Sequence, residues 1–457
     1  MELSQLRTPD LSIDSSPFLE LPSGRRHYSL TCRTCGASFE DDGVRLHCPG
    51  DHPRTLLTVH YSEKHLSVAT KAPGVFRYQR WLPICKPGFS TAQSVVYRSE
   101  VLGRELGLAE LWISFNGYWP ERGATFETGT FKELEAATVL ARLPEGFRGV
   151  LTVASAGNTA AAFAQACSRQ SMSCLMVMPE SALKVMRFGG PPGKRTRLVV
   201  LSAPADYSDA IDLAGRICHL PNFQAEGGVF NVARRGGLGT VLFSAVEAMG
   251  RLPDYYFQAI GSGAGAIAVH EAAERLIAGG GYGTRPPQQI LSQNLPFAPI
   301  YSAWRLKRTE SPRIEEHSAR TQISQIFASV LSSRNPPYDI RGGVYDTLTA
   351  SEGDMMAVDN AQAQAAGEWF EEREGIDIDP AGAVAVASLL EAVRGARIDP
   401  RATILLNITG GGRKKREQGT ALEDPQPDLM VRPWELDSPV LMNRIRELFP
   451  SVPGIAL

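Results

Sequence analysis

Residues 123–162 read GATFETGTFKELEAATVLARLPEGFRGVLTVASAGNTAAA, and their pattern decides the fold. Thr130, Phe131, Lys132 and Glu133 make a capping-box sequence, which predicts Thr130 as a helix N-cap with Glu133 reaching back to it. Leu134, Ala137, Leu140 and Ala141 recur behind it at helical spacing, so one face of that helix is buried. Lys132 then projects from the first turn, beside unpaired backbone N–H groups and the positive end of the helix dipole. That field, with partial burial, favours the neutral amine, which is the form that attacks an aldehyde. Residues 149–155 (GVLTVAS) follow as a buried parallel strand and 160–166 (AAAFAQA) as a helix. Between them Ser155, Ala156, Gly157, Asn158 and Thr159 form a polar turn at the carboxyl end of a strand, where open α/β sheets bind ligands. Read singly, Lys132 is a surface lysine and the turn an ordinary helix cap. Paired, they make a site.

The pair resembles the lysine motif and asparagine loop of the fold-type II pyridoxal-phosphate enzymes, the group of threonine synthase, cysteine synthase and tryptophan synthase β. The resemblance implies an α/β chain with two domains centred on parallel sheets. It implies that Lys132 bonds the cofactor's aldehyde and that Asn158 hydrogen-bonds the 3′ oxygen. Ser155, Ala156, Gly157 and Thr159 would hold the substrate carboxylate. A phosphate cradle and a partner for the pyridine nitrogen must lie elsewhere in the chain.

From residue 149 strands and helices alternate: 173–179 then 180–189, 197–203 then 206–218, with 228–232, 237–250, 254–260 and 266–279 continuing the pattern. Such alternation means right-handed crossovers and a parallel sheet covered on both faces. Strand 254–260 (DYYFQAI) feeds Gly261, Ser262, Gly263, Ala264 and Gly265, and a helix opens at once. Glycines let backbone N–H groups approach a phosphate, and the helix N-terminus supplies a favourable field. A dinucleotide loop looks similar, but this one comes late in the chain and the Lys132/Asn158 pair already accounts for a site. Strand 402–408 (ATILLNI) ends at Thr409 and three glycines. By resemblance Thr409 is the hydroxyl at the pyridine nitrogen, a neutral partner that leaves the ring a milder electron sink and favours replacement at the β or γ carbon.

The chain has 457 residues, enough for two or three domains, with 43% hydrophobic and 21% charged residues and a net charge of −2. No basic excess points to nucleic acid, and no apolar run has the length to span a membrane. The opening MELSQLRTPDLSIDSS lacks the basic and apolar regions of an export signal, and seven cysteines suit reduced thiols, so a cytoplasmic setting is expected. Residues 1–24 read as an unstructured lead-in and 25–75 as a small module. Residues 126–239 read as the smaller α/β domain, and 76–125 with 240–457 as the large cofactor-binding one. In the module, Cys32-x-x-Cys35 and Cys48 suggest a zinc ribbon whose fourth ligand is His52 or His47, the alternative being a degenerate ribbon that only folds. Residues 92–106 read as a helix and 109–115 as a strand. The Pro-, Gly- and aromatic-rich stretches 288–304 and 332–354 read as loops at a seam or subunit contact, and a homo-oligomer is expected. Residues 360–375 and 381–395 read as helices.

The lysine context, Thr130 before and Glu133-Leu134 after, departs from the S-F-K-D-R of threonine synthases and the S-x-K-x-R of cysteine synthases. From the C-x-x-C module to residues 407–415 (NITGGGRKK) the arrangement is most similar to the cysteate synthase family of methanogenic archaea. That resemblance implies O-phospho-L-serine and sulfite as substrates, L-cysteate for coenzyme M as product, and cations for both anions. Lys184, Arg187, Arg234 and Arg235 are the candidates. Threonine synthesis from O-phospho-L-homoserine, replacement with sulfide, and a non-catalytic nucleotide- or amino-acid-binding protein are the rival readings.

Overall fold

Two parallel sheets stand at the centre of the molecule. The computed structural model describes residues 12–14, 26–86, 88, 90–155, 157–184, 186, 193–311, 314–419, 424–450 and 452, the side chains of 12–14 and Lys184 excepted. The larger sheet has six strands in the order Asp354–Val358, Gln288–Asn294, Tyr255–Ala259, Thr403–Ile408, Glu110–Phe115 and Val95–Arg98, all parallel except the last. The smaller has five parallel strands, Phe223–Ala225, Val150–Ala154, Cys174–Pro179, Thr196–Leu201 and Leu429–Val431. Near-continuous apolar runs such as CLMVMP and TILLNI fit strands covered on both faces, and both are buried at every position. The fold is the α/β one expected of 123–162, and strands form at 149–155, 173–179, 197–203, 254–260 and 402–408 as the sequence pattern predicts.

Several segments differ from the expectation. Residues 92–106 divide into the strand Val95–Arg98 and the helix Glu100–Leu106. Ser99 separates them by accepting the Leu102 N–H at 3.2 Å, and the β-branched pair before it suits an edge strand. Residues 228–232 are not a strand: Gly227 and Gly228 take positive φ, a 3₁₀ turn spans Gly228–Phe230, and Asn231 caps the long helix Val232–Met249. Of 180–189, Glu180–Lys184 is a short 3₁₀ segment, and residues 185 and 187–189 lie outside the described residues.

The stretches read as loops contain sheet. Gln288–Asn294 is an inner strand whose polar side chains are absorbed locally. Gln289 donates to the Ala266 carbonyl at 3.0 Å, Gln293 accepts from the Tyr301 N–H at 3.0 Å, and Asn294 accepts from the Ala328 N–H at 2.9 Å. Residues 332–354 likewise contain the helix Val344–Ala350 and lead into the edge strand Asp354–Val358. The segment Leu429–Val431 joins the smaller sheet, not the larger unit to which 240–457 is assigned by sequence, because it pairs with Val199–Leu201.

The N-terminal module is a three-stranded antiparallel sheet, Ser38–Phe39, Tyr28–Cys32 and Leu57–Tyr61. The lead-in lies outside the described residues except Ser12–Asp14, which form a strand beside Ser67–Ala69 where no structure is expected. Among the described residues no helix is long and apolar enough to cross a membrane.

Candidate active site

The lysine helix, Lys132–Arg142, is held against the end of the central strand Thr403–Ile408. Residues 129–131 run antiparallel to 409–411: Phe131 N–H donates to the Thr409 carbonyl at 3.0 Å and Gly411 N–H to the Gly129 carbonyl at 3.0 Å. This pairing keeps Thr130 extended and moves the helix start one residue on, so the expected capping box does not form. Phe131 is the N-cap, and Glu133 turns to Thr128, accepting from its backbone N–H and, at 2.8 Å, from its hydroxyl. Two segments 280 positions apart (Thr130 opposite Gly410) thus meet immediately before Lys132.

The Lys132 amine lies 3.2 Å from Glu135, whose side chain is fully buried. Glu135 also accepts the Thr159 hydroxyl at 2.9 Å and pairs with Arg234 at 3.0 Å. Arg234 in turn donates through Nε to Glu226 at 2.8 Å. Burial lowers the Lys132 pKa, the Glu135 carboxylate opposes that, and the Arg234 charge adds to it. The direction is the one expected, but the principal cause is desolvation. Burial pushes Glu133 up to about 7 and Asp379 up to about 6, the neighbouring Asp377 charge adding to the second.

One cavity gathers most of the predicted residues. It is lined by Lys132, Ser155, Gly157, Asn158, Thr159, Arg234, Gly261 to Gly265 and Thr409. The Ser155 hydroxyl takes the N–H groups of Gly157 at 3.0 Å and Ala160 at 2.9 Å, which fixes the turn that starts the helix Asn158–Arg169. Gly263 has φ +85°, and a Cβ there would lie 2.3 Å from Val344; one at Gly265 would lie 2.7 Å from the Gln258 amide. Only glycine lets the loop turn this tightly into Ala264–Gly279, a helix with no side-chain cap, so its first N–H groups are available to an anion in the cavity. Ala156 and Arg187 lie outside the described residues, as does the side chain of Lys184.

Arg235 does not reach the cavity. Its guanidinium is buried against Glu271 at 2.9 Å and the carbonyls of Val229 and Leu57. Arg234 lines the cavity but is held by two carboxylates. Sequence reading missed Glu135, the buried partner of Lys132, and three residues of the cavity wall, Asp379, Tyr207 and Ser333. Glu135 carried a signal, since it sits three residues after Lys132 on a helix that is buried almost all round. Asp379 carried none until the chain folded. Beyond Asn158, Val330 and Asp379 lies a second compartment with Arg413 and Arg416 on its wall. In the N-terminal module Cys32, Cys35, Cys48 and His52 come together, whereas His47 packs edge-on against Phe230.

Residues 96–410 match the family model described as pyridoxal-phosphate dependent enzyme. The chain belongs to that family. It is 46% identical over 404 residues to the cysteate synthase of Methanospirillum hungatei JF-1, covering 88% of this chain and 94% of that protein. To the cysteate synthase of Methanoculleus marisnigri it is 46% identical over 412 residues, covering 90% and 94%. Among solved structures, maize serine racemase superposes with a TM-score of 0.53 at 17% identity, covering 70% of this chain and 89% of that one. Tomato (Solanum lycopersicum) threonine deaminase isoform 2 gives 0.52 at 17%, covering 71% and 86%. These two share the fold, which is fold-type II.

The cavity fits the family's cofactor. An amine with depressed pKa, a glycine cradle that any Cβ would fill, and an uncapped helix N-terminus face one space with a hydroxyl residue, Thr409, on its wall.

Proposed function

We propose that this protein is a pyridoxal-phosphate-dependent cysteate synthase, replacing the phosphate of O-phospho-L-serine with sulfite to give L-cysteate and phosphate. The observation that carries this reading is the 46% identity to cysteate synthases across nearly nine-tenths of the chain. It favours this reaction over threonine synthesis from phosphohomoserine, and the cavity supports it.

Lys132 would bond the cofactor's aldehyde, Gly261 to Gly265 would receive its phosphate on the N-terminus of Ala264–Gly279, Asn158 would meet the ring's 3′ oxygen and Thr409 its nitrogen. When bound, the cofactor supplies an electron sink for the substrate's α carbon. The turn Ser155–Thr159 receives the substrate carboxylate at the first N–H groups of Asn158–Arg169. Lys132, whose pKa is lowered by burial, accepts the α proton. Glu135 holds the amine by one oxygen and the Thr159 hydroxyl by the other, coupling the lysine to the substrate turn. Arg234 balances Glu135 and Glu226 and has no capacity left for a substrate anion. Arg413 and Arg416, in the adjoining compartment, are the cations assigned to the leaving phosphate and incoming sulfite.

The test is product analysis. With pyridoxal phosphate, O-phosphoserine and sulfite, the purified chain should release phosphate and form cysteate in equal amounts. Threonine from phosphohomoserine without cysteate would overturn the assignment, as would cysteine from sulfide at a greater kcat/KM than cysteate from sulfite. Borohydride reduction should fix pyridoxal phosphate onto the peptide carrying Lys132, and Lys132→Ala should abolish that label.

A further inference from the structure

The N-terminal module carries four side chains in an arrangement the pyridoxal-phosphate chemistry does not use. The sulfurs of Cys32, Cys35 and Cys48 and a ring nitrogen of His52 all lie within 4.8 Å of one another. Cys35 Sγ is 3.6 Å from Cys48 Sγ, and Cys32 Sγ is 3.3 Å from His52 Nε2. Zinc–sulfur bonds of about 2.3 Å and zinc–nitrogen bonds of about 2.0 Å make tetrahedral edges of roughly 3.8 Å between sulfurs and roughly 3.5 Å between sulfur and nitrogen. The observed edges lie close to both, and the sulfur pair is well beyond the bonding distance of a disulfide.

The surroundings are those of a metal knuckle. Backbone N–H groups of Thr34 and Cys35 point at Cys32 Sγ at 3.4 and 3.5 Å, and that of Gly50 at Cys48 Sγ at 3.4 Å. Such donors stabilise thiolates. The other ring nitrogen of His52 meets the Pro53 carbonyl at 2.8 Å, which makes Nδ1 the protonated one and leaves Nε2 as a lone pair aimed at the sulfurs.

We propose that Cys32, Cys35, Cys48 and His52 bind one zinc ion, and that this ion braces the far end of the catalytic-lysine helix. Three thiolates and a neutral imidazole fill a tetrahedral shell, so no position is open to substrate and the ion is structural. Its mechanical role follows from what the loop carries. Residues 40–54 contain no helix or strand, and the module's own buried cluster is small: Tyr28, Leu30, Cys32, Leu57 and Val232. Yet Asp41 from this loop is buried, and it holds Arg142, the last residue of the lysine helix, at 2.7 and 2.8 Å. Arg142 also donates to the Arg45 carbonyl at 2.6 Å and to Asn231 at 3.0 Å. With so little apolar burial to fix it, the loop depends on the metal for its shape.

The experiment uses the full chain with pyridoxal phosphate bound and reads the metal, not turnover. Elemental analysis should find one zinc per chain, and Cys35→Ser or Cys48→Ser should lower this at least tenfold, while Cys218→Ser, outside the cluster, leaves it at one. Cobalt exchanged into the wild type should give thiolate charge-transfer and tetrahedral ligand-field bands. Chelation should expose Arg45, half-buried in the folded chain, to trypsin while the cofactor's absorption reports separately on the active site. Wild-type protein that holds no zinc, a Cys35–Cys48 disulfide in place of free thiols, or tryptic protection unchanged by metal removal would each overturn the proposal.

Discussion

Replacing Glu133 with glutamine isolates a single buried proton beside the lysine. Glu133 follows Lys132, is buried, and accepts both donors of Thr128. Burial raises its pKa from the ordinary 4.5 to about 7, the Thr128 donors opposing and the Glu127 charge adding. Glutamine keeps the shape and the acceptor oxygen but has no proton to lose. The folded pKa lies above the unfolded one, so protonation supports the fold fully below about pH 4.5, and that support disappears as pH rises through about 7. At about 1.4 kcal/mol per pH unit the interval is worth about 3 kcal/mol at pH 8. If all 457 residues unfold together, at roughly 2.1 cal/mol/K per residue, this is about 3 °C in Tm. Glu133→Gln should therefore melt with the parent near pH 4 and about 3 °C above it near pH 8. Scanning calorimetry of both proteins at the two pH values, with pyridoxal phosphate removed from both, reads this directly. An offset of equal size at both pH values, or one larger in acid, would refute the buried-proton reasoning and leave only a packing effect.

Gly237→Ala should disturb the lysine helix from behind, because a Cβ there would lie 2.3 Å from the Leu134 carbonyl and 2.4 Å from the Thr138 hydroxyl. The expected loss is about 1–3 kcal/mol by denaturant titration, with kcat falling before cofactor affinity. Arg416→Ala and Arg413→Ala should each raise KM for O-phosphoserine or sulfite about tenfold with the pyridoxal-phosphate spectrum unchanged, a lost charge-assisted contact being worth roughly 1.5–3 kcal/mol. Unaltered KM values for both substrates would remove those arginines from the anion assignment.

The pieces of the site were legible wherever a strand ends in a distinctive turn. Residues 149–162, 254–265 and 402–412 each join an apolar run to small or polar residues, and that local contrast survives without a tertiary structure. Their meeting in one cavity was not legible from spacing, because it depends on the 129–131 to 409–411 pairing across 280 positions. Buried polarity escaped the reading in two places. Residues 288–304 read as loop for their proline and aromatic content, yet Gln288–Asn294 is a sheet strand whose Gln289, Gln293 and Asn294 bond the backbone of other segments. Arg234 and Arg235 are candidates in the sequence because two anionic substrates call for cations, yet both are buried on carboxylates: Glu226 and Glu135 for one, Glu271 for the other.

That pairing also explains how a chain of net charge −2 can serve anionic ligands. Lys132 and Arg234 line the cavity, and buried carboxylates pair with them, Glu135 with both and Glu226 with Arg234. A quartet so balanced has little field to offer a phosphate, and stripping either arginine partner would leave a buried charge uncompensated at about 3–5 kcal/mol. Anion recognition must therefore come from groups whose charge is not already spent. Those are the backbone N–H groups at the starts of Asn158–Arg169 and Ala264–Gly279, which cost no side-chain desolvation. The quartet has a different use. It sets the Lys132 pKa between two opposed influences, a burial that lowers it and the Glu135 carboxylate that raises it.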